Sequence, residues 1–219
     1  MKRSLIFIVT MLFCSVSFAQ SLFELSFSAS PTINWMSPGV KEIQKNKSTL
    51  GYEFGVNADI FFDQEMRYAF TTGVLVSQTG GELTYNTADN FTFAGNEFDS
   101  GTSIRYRLSY VEVPLALKMR TNQFHRWTYW GLFGLSSGIN VTAKGDSSDE
   151  QFDQSDINKQ VKLFNMALNL GLGSEFDLGG RNALVLGLAY KSGFVDVTKG
   201  GLGEKTTLNS LTFKLGLVF

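Results

Sequence analysis

Enzymatic, metal and redox chemistry each need particular side chains in particular numbers, and this 219-residue sequence is short of them. It holds one histidine, His125, and one cysteine, Cys14, too few for a His/Cys metal site or a disulfide framework. His125 stands between Phe124 and Arg126 with no Ser/Asp pattern beside it for nucleophilic catalysis. The stretch from Gly200 to Thr206 approaches a phosphate-binding loop, but Glu204 separates the last glycine from Lys205, and strand-like rather than helical sequence follows. Asp146, Asp149, Glu150, Asp153 and Asp156 crowd one segment without the glycine and ligand spacing of a calcium loop. That run, and Lys41, Lys45 and Lys47 upstream, read as solvated loops, the lysines within reach of lipopolysaccharide phosphates. No cofactor is expected. What remains are charges standing singly among small and apolar residues: Glu24, Glu53, Asp59, Arg105, Arg107, Glu112 and Lys214.

The elements that hold these charges alternate with period 2, the mark of strands with two unlike faces. At the C-terminus Leu211, Phe213, Leu215, Leu217 and Phe219 oppose Ser210, Thr212, Lys214 and Gly216. Leu184 to Tyr190 and Phe164 to Leu172 alternate in the same way against Gly, Ala and Asn. Upstream, Leu50 to Ile60 oppose Gly51, Glu53, Gly55, Asn57 and Asp59, and Phe23 to Ala29 oppose Glu24 and serines. Phe70 to Val76 is weaker. Ile104, Tyr106, Leu108 and Tyr110 oppose Arg105, Arg107 and Ser109; from Val111 to Leu117 the apolar residues occupy the other parity, with Glu112, Pro114 and Lys118 opposite. A one-residue slip beside a proline suggests a β-bulge. Trp127, Tyr129, Phe133 and Leu135 begin a further strand, its phase obscured by Trp130 and Leu132. Eight strands result. Short connections (Phe62 to Arg67, Arg120 to Arg126, Asp177 to Asn182) alternate with long ones (Ser37 to Thr49, Thr79 to Thr102, Val141 to Gln160, Ser192 to Thr206), as in an up-and-down meander closed into one barrel.

Composition narrows the class. With 43% apolar, 14% aromatic and 18% charged residues and a net charge of −1, disorder, a coiled coil and an electrostatic nucleic-acid binder are all excluded. Lys2 and Arg3, the apolar Leu5 to Phe13 and the small Ser17 and Ala19 form a signal peptide, with cleavage expected after Ala19. Residues 1–19 are therefore assigned to the leader and 20–219 to the barrel, which then carries no cysteine.

Period 2 does not say which face points inward. A soluble barrel hides its apolar set inside, whereas a membrane barrel shows it to lipid and keeps a polar interior. Here the second face is Gly, Ser, Asn and Thr with scattered charges, which suits a narrow lumen. Leu211 to Phe219 is about 26 Å of strand, roughly 20 Å when tilted, close to the ~25 Å apolar band of outer-membrane barrels. Aromatics beside the short turns (Phe61, Phe62, Tyr68, Phe70, Phe124, Trp127, Tyr129 and Trp130) form an interfacial girdle. The fold class is an eight-stranded antiparallel up-and-down transmembrane β-barrel. In it Glu24, Glu53, Asp59, Arg105, Arg107, Glu112 and Lys214 face the lumen, either as a charge-selective pore lining or as ion pairs filling a closed interior.

Tyr110-Val111-Glu112-Val113-Pro114-Leu115-Ala116-Leu117-Lys118 resembles the YxEhPhhhK signature of the PorT-like outer-membrane β-barrel family of Gram-negative bacteria. Asn169 to Phe176 is similar to its glycine-rich strand, and Phe219 resembles the signal read by the barrel-assembly machinery. The resemblance implies an outer-membrane location with both termini in the periplasm, and no catalytic residues. Some members are linked to protein secretion. The implied partners are outer-membrane lipids and lipopolysaccharide, the assembly machinery and an unidentified ligand or protein; nucleic acid is not among them. The function expected is a closed structural or interaction barrel presenting surface loops for secretion or adhesion, the alternative a narrow porin-like channel for small solutes. An outer-membrane lipase or acyltransferase needs a Ser/His constellation that His125 does not supply.

Overall fold

A computed structural model describes residues 22–86, 90–147, 155–199 and 205–219. The expected leader, the carboxylates Asp149, Glu150 and Asp153, and Gly200 to Glu204 lie outside the described residues.

Eight long strands build the barrel: β1 (Leu22–Pro38), β2 (Thr49–Phe61), β3 (Tyr68–Tyr85), β4 (Thr102–Arg120), β5 (Trp127–Ser147), β6 (Phe164–Gly179), β7 (Asn182–Gly193) and β8 (Thr206–Val218). Each pairs antiparallel with its sequence neighbours, and β1 closes the ring against β8, with Phe27 opposite Leu217 and Thr32 opposite Thr212. Closure leaves no exposed sheet edge, the condition for strands in lipid. A short strand, Ile43–Lys45, runs beside the far end of β3, and Phe91–Phe93 with Asn96–Phe98 forms a small separate hairpin.

The connections fall at two ends. At one end lie three tight turns together with Leu22 and Phe219. Asp63 shapes the first, accepting the N–H groups of Arg67 and Tyr68 at 2.7–3.0 Å. His125 lies in the second at a left-handed φ of 58°, between Phe124 and Trp127, which exchange backbone hydrogen bonds of 2.8 and 3.0 Å. Gly179 and Gly180 make the third, with φ values of 104° and 70° that a side chain would strain. At the other end Asp196 organises the last long connection. Its carboxylate takes Lys162 Nζ at 2.6 Å and the N–H groups of Thr206 and Thr198 at 2.9 and 3.1 Å. Partial burial opposes its charge, yet Lys162 and these donors outweigh it and hold the carboxyl below its ordinary pKa.

Strands β3, β4 and β5 run well past the apolar band, and there the faces exchange character. On β4 the even-numbered residues point inward along the whole strand: Ile104, Tyr106, Leu108 and Tyr110, then Glu112, Pro114, Ala116, Lys118 and Arg120. The odd-numbered side changes from Arg105 and Arg107 to the exposed Val111, Val113, Leu115 and Leu117. No phase slip occurs within β4. The bulge that the alternation suggests belongs to the β4–β5 pairing: Ser109 faces Thr142 and Tyr110 faces Asn140, leaving Val141 of β5 as the extra residue.

The outward girdle at the short-turn end holds Phe62, Tyr68, Phe70, Phe124, Trp127 and Tyr129. Phe61 and Trp130, placed in it by the sequence, are buried inside instead. For Trp130 the reason is the glycine-rich strands beside it, where Gly173 is its register partner and Gly187 pairs with Gly173. A Cβ at Gly187 would meet its ring at 2.5 Å and one at Gly173 at 2.6 Å, so the indole occupies the space those glycines leave.

Candidate functional site

The interior is the feature that decides what this barrel does, and it is filled in three bands. Nearest the short-turn end, Lys118 on β4 bridges Asp59 of β2 at 2.6 Å and Glu175 of β6 at 2.8 Å. Arg120 joins Glu24 of β1 at 2.5 Å and Glu175 at 3.0 Å, and Thr71 donates to Asp59 at 2.6 Å. Lys118 also lies 5.8 Å above the Trp130 ring. These contacts tie β1, β2, β3, β4, β5 and β6 together across the lumen.

Higher up, Lys191 of β7 pairs with Glu53 of β2 and, at 2.7 Å, with Glu112 of β4. Ser136 donates to Glu112 at 2.8 Å, and Ser77 donates to its other oxygen. Between the two bands Lys214 borders a cavity of about 40 Å³ with Ser28, Asn57, Asp59 and Lys118, and it makes no ion pair among the described residues. A second cavity of about 30 Å³ adjoins Glu53, Glu112, Asn165 and Lys191. Buried Glu53 Oε1, Asn165 Oδ1, Asn169 Oδ1 and Thr212 Oγ1 have no partner among the described residues, which is the lining an internal water requires.

The third band, at the long-loop end, is apolar. Met36, Leu83, Tyr85, Ile104, Tyr106, Leu108, Tyr110, Ala143 and Leu208 converge inside the rim. Phe91 stacks on Tyr85 at 4.9 Å, Phe93 meets Tyr106 edge-on at 5.8 Å, and Ile157, Val161 and Val197 complete the same core. The Tyr85 and Tyr106 hydroxyls hydrogen-bond each other. An apolar core here is the physical counterpart of the exchanged faces: outside the bilayer the dry side of the strand is the inside.

Sequence parity puts Glu24, Glu53, Asp59, Arg105, Arg107, Glu112 and Lys214 in one lumen. The structure brings together Glu24 and Asp59 in the lower band and Glu53 and Glu112 in the upper one, with Lys214 between. Arg105 and Arg107 do not join them. Their side chains are 51% and 40% exposed on the outer face, paired to Glu82 at 3.1 Å and Asp146 at 2.5 Å. They were misplaced because the apolar Ile104 to Tyr110 set marks the cap interior and not lipid. The cations that answer the lumenal carboxylates, Lys118, Arg120 and Lys191, were missing from the candidate set along with Glu175. Parity alone would have found them, since each falls on the small-residue face of its strand.

The short-turn end opens into a vestibule of about 860 Å³ whose floor is Arg120, Glu24 and Glu175, with Asp177 and Arg181 on its walls. His125 occupies the adjacent turn, its ring 4.5 Å from Phe124. Among the described residues no group of three His, Cys, Asp or Glu side chains is placed to hold a metal. Phe219 is exposed beside β1, its N–H donating to Leu25 O at 3.0 Å.

Residues 18–199 match the family model described as outer membrane protein beta-barrel domain. In fold the chain is similar to Neisserial surface protein A, at 12% identity and a TM-score of 0.51 over 90% of this chain and 95% of that one. It is similar also to the outer membrane protein OprG from Pseudomonas aeruginosa, at 11% identity and a TM-score of 0.50 over 90% and 95%. The outer membrane protease OmpT from Escherichia coli aligns at 10% identity and a TM-score of 0.46, over 93% and 98%. No curated protein sequence matches the chain.

Proposed function

The chain belongs to the outer membrane protein beta-barrel domain family, and on that footing we propose that it is a closed, non-conducting barrel that works through its surface. The end with the long loops faces the cell exterior, and the end carrying Leu22 and Phe219 faces the periplasm. Its role is to present the protruding β3–β5 sheet and the loops around it to a ligand or partner, in adhesion or in support of secretion. The Tyr110 to Lys118 signature favours the PorT-like branch within the family.

One observation carries this reading: side chains of the described residues cross the lumen at three levels. The voids beside the two ion-pair bands measure about 40 and 30 Å³, room for one or two waters each, and the apolar cap lies across the long-loop end above them. An aqueous pore would have to break buried ion pairs that bind strand to strand across the barrel. A catalytic role finds no support in His125, whose left-handed backbone serves a hairpin turn and whose ring meets Phe124 edge-on.

Planar-bilayer recording on the purified, folded protein tests the proposal. Silence is expected. A discrete conductance whose ion selectivity shifts in Glu112→Gln would overturn it in favour of a narrow channel.

A further inference from the structure

The ion-pair bands leave one lumenal cation unused. Lys214 of β8 borders the void of about 40 Å³ and makes no ion pair among the described residues. Trp130 of β5 borders the same void and is 5% exposed, and its indole N–H has no partner among the described residues. Glycine brings the two together. A Cβ at Gly187 would meet the ring carbon Cζ2, on the Nε1 side of the indole, at 2.5 Å, and Gly187 is the register partner of Lys214.

The carboxylates in reach are already taken. Asp59, on the wall of the void, receives Lys118 on one oxygen and the Thr71 hydroxyl on the other, both at 2.6 Å. Glu175 below is shared by Lys118 and Arg120, and Glu53 above is held by Lys191. Ser28 Oγ accepts from Asn57 Nδ2 at 3.2 Å, which leaves its own hydrogen for another acceptor. The lining therefore sets two ammonium groups, Lys118 and Lys214, against one carboxylate. The partnerless buried acceptors Glu53 Oε1 and Asn165 Oδ1 border the other void. A water in the first void would accept from Lys214 and Trp130, but it would have to place its own hydrogens and would leave the ammonium charge unanswered. An anion only accepts, and it cancels that charge. The remaining walls, Phe27, Leu132, Val185 and Leu215, are apolar, and the volume suits a single atom better than an oxyanion.

We propose that this void binds a monovalent halide such as chloride, held between the Lys214 ammonium and the Trp130 indole N–H. Such a site works in a closed lumen or a conducting one, because it needs only the void and its two donors. The halide takes the place of the carboxylate that Lys214 lacks, and it joins β8 to β5 across the lumen as Lys191 joins β7 to β2 and β4.

Trp130 reports on the site once Trp35→Phe and Trp127→Phe leave it the only tryptophan. That protein is refolded from urea into phosphatidylcholine vesicles in sodium gluconate, with bromide replacing gluconate stepwise at constant ionic strength. Bromide quenches an indole that it touches. Quenching of Trp130 is expected to rise to a plateau and to be reversed by chloride, which competes without quenching. Lys214→Met, which leaves the indole in place, should lose the plateau, and so should Lys214→Gln. Unchanged heat-dependent mobility on gels certifies that each protein is folded. Chloride should also raise the urea midpoint saturably over gluconate, a shift absent from Lys214→Met. Quenching that climbs linearly without a plateau, or an equal plateau in the Lys214 variants, overturns the proposal. Fluorescence is read without recording current, so a conducting lumen that still shows the plateau would overturn the closed-barrel reading and leave this site in place.

Discussion

Lys191 shows how much a single interior residue carries. It reaches from β7 to Glu53 on β2 and Glu112 on β4, so three strands meet at one ammonium. Removing it strands two carboxylates in a lumen where Ser77 and Ser136 can serve only Glu112. Lys191→Met is expected to cost about 3–5 kcal/mol, the range for breaking a buried pair from one side. Arg105→Gln, which breaks a half-exposed pair on the rim, should cost about 0–1 kcal/mol. Urea unfolding in lipid vesicles gives both numbers, and a Lys191→Met variant within about 1 kcal/mol of the parent would show that the upper band contributes little. Adding Glu53→Gln to Lys191→Met should recover part of the loss. At this scale the site was half legible in the sequence. Glu24, Glu53, Asp59, Glu112 and Lys214 stand out because each interrupts a run of small residues. Their partners share the same inward parity and were legible as lumenal residues; what alternation along one strand does not record is the pairing itself, which joins positions as far apart as Glu53 and Lys191.

The strand scale explains the error over Arg105 and Arg107. Alternation marks the dry face of a strand, and in this barrel the dry face changes side partway along. Within the bilayer it is outside, toward lipid, as with Val111 to Leu117; beyond it is inside, toward the cap, as with Ile104 to Tyr110. The same exchange occurs on β3, where Val74 is exposed but Leu83 is buried inside, and on β8, where Phe213 is exposed but Leu208 is buried inside. The eight strands and their end-to-end order were readable because period 2 survives the exchange. The end of the bilayer was readable only as a change in parity, easily mistaken for a bulge. Single cysteines along β4, on a background with Cys14 replaced, separate the two accounts. A membrane-impermeant maleimide should modify position 105, a lipid-phase reagent position 113, and neither should reach 106 or 112 in folded protein. Aqueous labelling at 106 with protection at 105 would reverse the assignment of the rim.

For the whole molecule, eight strands enclose a space that side chains can fill, and this sequence fills it with two chemistries. Within the bilayer the lumen holds Glu24, Glu53, Asp59, Glu112 and Glu175 against Lys118, Arg120, Lys191 and Lys214, a nearly balanced set. Above it the seal is apolar and draws on loop residues Phe91, Phe98, Ile157 and Val197. The two seals are in series, so opening one should not open the barrel. The triple variant Glu53→Ala, Glu112→Ala, Lys191→Ala removes the upper ion-pair band with no member of it left behind, and it widens the mid-lumen void. Ile104, Tyr106, Leu108 and Tyr110 still cross the lumen above that void, and Lys118 with Arg120 still crosses it below. The variant is therefore expected to fold and to remain silent in planar bilayers, while its enlarged cavity admits water and speeds amide exchange at the inward-facing backbone near Asn169. A conductance from the triple variant alone would mean that the apolar cap opens on its own and that the ion pairs were the gate.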